Sequence, residues 1–286
     1  MNMQPSGKEP KQSGRESDSV TVITVTRGRP RSLGRAMESV RKQDYPGRVA
    51  HLIVIDTCVS TLRYLEQDAD TRSVAWIFRS RRPGAERVPG RLGRLRNEAI
   101  RLAESHWVAF LDDDNEFYPN HLRTLKDAAD RQHCSAVHSH RELLWRDGSA
   151  YLEPLFPWSS SRHKAARMYD KLRRAMVFEK GSNVMKDRID SPEHPDGIRS
   201  ADTSEWLVSK ETAMRCPFPE DCSSSDWAIM KTEDDYFMER LVLAGIPIAC
   251  SGLATLKYYV GGYSNRWLQR KFSGINAAQS GMAADR

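Results

Sequence analysis

The sequence predicts an α/β fold with a mostly parallel central sheet flanked by helices. Three observations carry this. Apolar runs rich in β-branched residues alternate with segments of helical spacing from Ser19 onward. The runs are apolar at consecutive positions rather than alternate ones, as a strand covered on both faces requires. Two of them end on acids, at Asp56 and at Asp112-Asp113-Asp114, and ligands of such sheets bind beyond the carboxyl ends of the strands.

The first strand is Ser19 to Thr26, almost wholly β-branched. The Arg27-Gly28-Arg29-Pro30 turn follows, then a helix over Ser32–Gln43 with Leu33, Met37 and Val40 on one face and Ser32 as N-cap. His51 to Asp56 is the second strand, and Leu62 to Asp70 a short helix. Ser73 to Phe78 is the third strand. The basic stretch from Ser80 to Arg91, punctuated by two prolines and two glycines, reads as a loop. Leu92 to Glu104 is helical, His106 to Leu111 is the fourth strand, and Asn120 caps a helix running to Arg131.

The second half is less regular. Ala136 to Leu144 reads as a strand, Ser182 to Asp202 as an exposed polar loop, Ser204 to Ser209 as a short strand, and Glu233 to Ala244 as a helix. The expected organisation is one domain of two halves, residues 19–135 and 136–270. Residues 1–18 form a disordered lead, and 271–286 a flexible tail.

Composition narrows the class. The 286 residues are 39% hydrophobic and 29% charged, with a net charge of +6, which suits a globular protein. No apolar run approaches the roughly 18 residues of a membrane span, and the polar start carries no export signal. The expected location is therefore the cytoplasm. Five cysteines without C-x-x-C spacing argue against a zinc site or a disulfide framework.

Three adjacent carboxylates at a strand end repel one another, and a divalent cation with oxygen ligands is the natural counter-charge. The competing reading is a solvated acidic turn. Asp56 can accept from a nucleobase N–H or a ribose hydroxyl. Arg79, Arg81, Arg82, Arg87, Arg91, Arg94 and Arg96 are suited to phosphate. Glu233-Asp234-Asp235 either caps a helix or supplies a general base. His138 and His140 read chiefly as packing residues.

In combination these segments resemble the GT-A glycosyltransferases of family 2, over roughly Ser19 to Asn265. V-T-V-I-T-V-T-R-G-R-P (20–30) looks like that family's first strand and nucleotide-binding loop, with Thr24, Thr26 and Arg27 as donor contacts. I-V-I-D looks like the segment whose acid, here Asp56, meets the base. L-G-R-L-R-N-E-A looks like the family's Arg-Asn helix, with Asn97 beside the donor and Arg91 at a diphosphate position. F-L-D-D-D-N looks like the D-x-D region. E-D-D-Y-F-M-E-R looks like the helix carrying the catalytic base, here Asp234, and K-Y-Y-V-G-G-Y-S-N like the closing segment. The resemblance implies a Rossmann-like nucleotide-binding domain and a nucleotide-sugar donor, with UDP-sugar favoured. It also implies Mn²⁺ or Mg²⁺ and inversion at the anomeric carbon. Asp112 and Asp113 would meet the donor, and Asp112 and Asp114 the metal, with Asp114 as direct ligand.

Two positions depart from the family pattern. Asp56-Thr57-Cys58-Val59 replaces an acid-acid-Gly-Ser run, and Gly261 stands where many members place a metal-binding His. The acceptor is a small molecule, a lipid-linked group or a glycan, shaped by residues 145–202. The rival readings are a sugar nucleotidyltransferase, whose Gly-rich, Lys-containing loop the Arg27-Gly28-Arg29 turn fits poorly, and a nucleic-acid binder using the Arg stretch. Nucleic acid is disfavoured because that stretch has no interleaved aromatics.

Overall fold

The computed structural model describes residues 18–67, 74–80, 88–159, 161–189, 197–221 and 231–262. Residues 1–17 of the expected lead, the expected tail, Arg81, Arg82 and Arg87 of the basic loop, and Cys222 lie outside the described residues, whereas Asp18 is ordered and pairs with Lys126.

The first half follows the predicted alternation: β1 (Val20–Thr26), α1 (Pro30–Arg41), β2 (Val49–Asp56), α2 (Val59–Gln67), β3 (Val74–Arg79), α3 (Val88–Leu102) and β4 (Trp107–Phe110). The second half comprises β5 (Glu116–Phe117), α4 (His121–Gln132), β6 (Ala136–Leu144), α5 (Arg162–Arg174), β7 (Val184–Met185), β8 (Trp206–Ser209), α6 (Lys210–Arg215), α7 (Glu233–Leu243) and β9 (Ile248–Tyr259). One sheet runs in the order β3-β2-β1-β4-β8-β6-β9-β5, with β7 on β6. Its first four strands are mutually parallel. β8 is antiparallel to both β4 and β6, and β9 returns parallel to β6.

Strand residues alternate between two cores, as the period of two demands. Ile23, Val108, Phe110, Trp206 and Val208 face α3 and α7. Val20, Val22, Ala109, Leu111 and Leu207 face α1 and α4. Phe110, Phe218 and Phe237 lock the first core, with Phe218 stacked on Phe237 at 4.2 Å between centroids. A separate apolar cluster lies under α5, where Tyr169 and Leu172 meet Leu143, Phe178 and Tyr258.

Several boundaries shift. α1 starts at Pro30, so Ser32 is inside the helix and its hydroxyl bonds the carbonyl of Arg29. Proline suits this first position because its missing N–H would be unpaired there anyway. Asn120 does precede α4, but makes no side-chain cap bond. α3 begins at Val88, so Pro89, Gly90 and Arg91 are helical rather than part of a loop. Within the span expected as an exposed loop, residues 182–189 contribute β7, and Asp187 is fully buried; residues 190–196 lie outside the described residues.

The two glycines of α3 have a packing reason. A Cβ on Gly93 would stand 2.0 Å from the carbonyl oxygen of Pro219, and one on Gly90 2.4 Å from that of Glu220. The backbone before α7 therefore lies directly on α3. Helix propensity alone predicts that Gly93→Ala stabilises by up to about 1 kcal/mol. The clash predicts the opposite, a loss of about 1–3 kcal/mol. The urea midpoint of the variant decides the sign.

Candidate active site

Side chains from five segments meet beyond the carboxyl ends of β1 and β4. The acidic triplet divides its directions. Asp113 is buried and takes hydrogen bonds from the Thr26 hydroxyl (2.7 Å) and from Arg29 Nη1 (2.9 Å). Arg29 Nη1 reaches Asp114 as well, at 2.6 Å. Asp112 turns the other way, to Arg96 Nη2 at 3.0 Å. The chain turns here, with the Asn115 amide on the Asp112 carbonyl, and this separates Asp112 from the two acids that share Arg29.

Arg96 joins this group to α7. Its guanidinium is buried, donates to Glu233 at 2.7 Å and Asp234 at 3.4 Å, and lies over the ring of Phe218. Burial opposes its charge, but Glu233, Asp234 and Asp112 more than offset that and raise its pKa. A turn of 3₁₀ helix at Thr203–Glu205 supports both ends of the arrangement. The Thr203 hydroxyl donates to Asp234, and the Ser204 hydroxyl accepts from the backbone N–H of Asp112 at 3.1 Å. The turn is itself closed by a capping box between Asp202 and Glu205.

The carboxylates outnumber the cations. Asp114 is pushed up to about 7, first by burial and then by Asp113 and Asp112 against the pull of Arg29. Burial and Glu233 likewise hold Asp234 well above the usual carboxylate range. Burial does the same to Asp202, against the pull of Arg141. Such an excess of anionic oxygen fits a divalent cation. Among the described residues no three His, Cys, Asp or Glu side chains converge as a ready cage.

A second pair lies at the end of β2. Arg91, from the first turn of α3, donates through Nε to Asp56 at 2.8 Å, and its Nη2 also reaches the same oxygen. The acid expected at the base and the Arg expected at the diphosphate are thus brought together. Thr57 adopts φ 56 beside them.

Other expected site residues are placed elsewhere. Thr24 is fully buried and its hydroxyl meets His51 Nε2 at 2.9 Å, within the layer between the sheet and α1. Asn97 brackets Phe218, giving Nδ2 to its carbonyl and taking its N–H, each at 2.9 Å. It fastens the backbone that Gly90 and Gly93 admit. Arg27 is exposed. Gly261 takes φ 96, and its carbonyl accepts from Arg146 at 2.6 Å. His138 and His140 meet the carbonyl of Ser139 and the thiol of Cys250. Of the Arg stretch, Arg91, Arg94 and Arg96 are buried and Arg79 pairs with Glu98. These four present no open basic face to nucleic acid.

Sequence reasoning missed Arg29, read only as part of a turn, and the pair Thr203-Ser204. Arg29 had a usable signal, since a triplet of acids needs a nearby cation. A three-residue 3₁₀ turn leaves no periodicity to detect.

The strand-helix alternation, the acids past β4 and the helix that opens on Glu233-Asp234 are the features of a GT-A architecture. The chain belongs to glycosyl transferase family 2, whose model matches residues 21–183. It is 29% identical over 106 residues to WcaA of Escherichia coli K12, assigned to colanic acid biosynthesis as a glycosyl transferase, covering 36% of this chain and 35% of WcaA. The fold is similar to that of S. aureus TarS 1–349 (TM-score 0.55, 17% identity, 90% of this chain and 64% of that one). A TarS 1–349 complex with UDP-GlcNAc also matches (TM-score 0.52, 16% identity, 84% and 58%). So does a Pyrobaculum calidifontis mannosyltransferase in complex with GDP-Man and Mn²⁺ (TM-score 0.53, 14% identity, 88% and 60%). The chain thus spans about a third of the curated relative and under two thirds of these solved neighbours.

Proposed function

We propose that the protein moves a glycosyl group from a nucleoside-diphosphate sugar to an acceptor hydroxyl, with inversion at the anomeric carbon. The observation that carries this is Arg96, which holds Asp112 of the strand-end acids and Asp234 of α7 on one guanidinium. A donor-side acid and a potential base therefore stand on either side of one point. Neighbours of the same fold bind UDP-GlcNAc and GDP-Man with Mn²⁺, and a UDP-sugar is the favoured donor here.

In this reading residues 19–135 hold the donor and 136–270 the acceptor and the base. Asp56, oriented by Arg91, accepts an N–H of the nucleobase. Thr26 and Arg29 fix Asp113 and Asp114, while Asp112 and Asp114 would hold Mn²⁺ or Mg²⁺. When bound, the cation supplies Lewis-acid stabilisation of the departing diphosphate. Asp234 takes the acceptor hydroxyl proton as the oxygen attacks the anomeric carbon. The new C–O bond forms as the bond to the diphosphate breaks, and the nucleoside diphosphate leaves with that electron pair. The Thr203 hydroxyl and Arg96 keep Asp234 aimed and able to ionise.

Calorimetric titration with UDP, GDP and TDP, with Mn²⁺ and again with EDTA, tests the donor site. One nucleotide is expected to bind with micromolar affinity in Mn²⁺, and Asp114→Ala and EDTA should each abolish that heat. Asp56→Asn is expected to weaken binding about tenfold, by loss of a charge-assisted hydrogen bond. Failure of every nucleotide to bind in the presence of Mn²⁺ would sink the reading.

A further inference from the structure

We propose that α5 is a docking face for an anionic lipid surface. Within Arg162–Arg174 there are six Lys and Arg residues and one acid, Asp170. The buried side of the helix is narrow, consisting of Ala165, Tyr169 and Leu172. Opposite it, Lys164, Arg167, Lys171 and Arg174 recur at spacings of three and four, a continuous stripe along one face. All four are exposed, and none of them makes an ion pair with a carboxylate among the described residues. Arg174 only reaches the Asp170 carbonyl.

Lys171 and Arg174 in the last turn suit the helix dipole, but the start of the helix does not. The first turn holds Arg162, His163 and Lys164 and no acid, which opposes the helix dipole. Four like charges along one stripe repel at helical spacing. A sequence that keeps local penalties on an exposed face places them where a partner offsets them.

The apolar residues around the stripe choose between partners. Met176, just past the helix, is 64% exposed, Met168 on its flank 39%, and Leu152 56%. Leu152 belongs to the segment tied to α5 by the Phe156 amide on the Ala165 carbonyl. A soluble polyanion satisfies the cations and leaves these side chains in water. A bilayer surface satisfies both, with phosphates on Lys and Arg and the acyl boundary for Met and Leu. Among the described residues no helix is long and apolar enough to cross a membrane; the contact is of α5 lying against the surface. The buried side of α5 packs in the cluster that includes Tyr258, and Tyr258 carries Arg141 over its ring, which pairs with Asp202 at 3.1 Å. Docking by α5 would thus bring the second half of the candidate site towards the lipid. The contact is independent of the chemistry at Asp234.

The full chain is sedimented with vesicles of phosphatidylcholine containing phosphatidylglycerol, and with pure phosphatidylcholine. Binding to the anionic vesicles alone is expected, with release by molar salt as screening shortens the Debye length. The triple variant Lys164→Glu, Arg167→Glu, Lys171→Glu should lose at least about tenfold in vesicle binding, with an unchanged melting midpoint. Equal binding to neutral vesicles, or undiminished binding by the folded variant, overturns the proposal. So does capture by heparin without capture by anionic vesicles, which makes the stripe a soluble-polyanion site.

Discussion

Asp234→Asn is expected to lower kcat by about 10³-fold while leaving donor affinity within about twofold, because the amide cannot take a proton. Asparagine keeps the shape and can still accept from Thr203 and Arg96, the partners of Oδ1. The acid limb of the parent's rate profile should follow Asp234, with activity rising as the carboxylate ionises. A second readout separates the base from a mere packing group. Burial, Glu233 and Asp112 push Asp234 up to about 8 from the usual 3.8. The folded state therefore holds a proton that the unfolded chain releases, and parent stability falls as pH rises between these two values. The asparagine variant has no such slope at this position. It should be more stable than the parent near pH 8, and the difference should vanish towards pH 4. Chemical denaturation at both pH values measures this, and a variant that is both active and unchanged in slope removes Asp234 from the mechanism.

The residues that proved legible were those whose signal is strong over a short window. β1 and β2 are buried on both faces, and their unbroken apolar runs say so. The acids that end β2 and β4 follow from the strands themselves. What escaped was set by distant packing. α3 looks like a loop at Pro89-Gly90, and only the approach of the Pro219–Glu220 backbone explains glycine inside a helix. Asn97 is expected beside the donor, yet its amide is taken up by the Phe218 backbone. Thr24 sits two residues before Thr26 and so shares its face, but only the strand-end residue reaches the acids. α5 shows three buried residues in thirteen, too thin a stripe to stand out against its charge. The twelve-residue β9 breaks its own pattern at Gly252, which takes φ 74.

Loss of Arg96 should cost more stability than loss of any catalytic acid. Its guanidinium sits in a buried position between Asp112, Glu233 and Asp234, and burial already raises the pKa of both α7 acids. Arg96→Met fills a similar volume but leaves Glu233 without its ion pair and Asp112 without its tether. Removing one partner of a buried pair costs about 3–5 kcal/mol, because the remaining charge is uncompensated. For a chain of this size that corresponds to a fall in Tm of roughly 10 °C. Arg96→Lys retains the charge, but an ammonium lacks the planar fork that spans three carboxylates, so only part of the loss should be recovered. Adding Glu233→Gln to Arg96→Met removes the stranded charge, and should regain a large share of the stability without regaining activity. That non-additivity separates the two roles of the residue. If the double variant is no more stable than Arg96→Met alone, Glu233 is not the group that Arg96 neutralises. If the double variant also recovers turnover, Arg96 has no part in aligning Asp112 with Asp234.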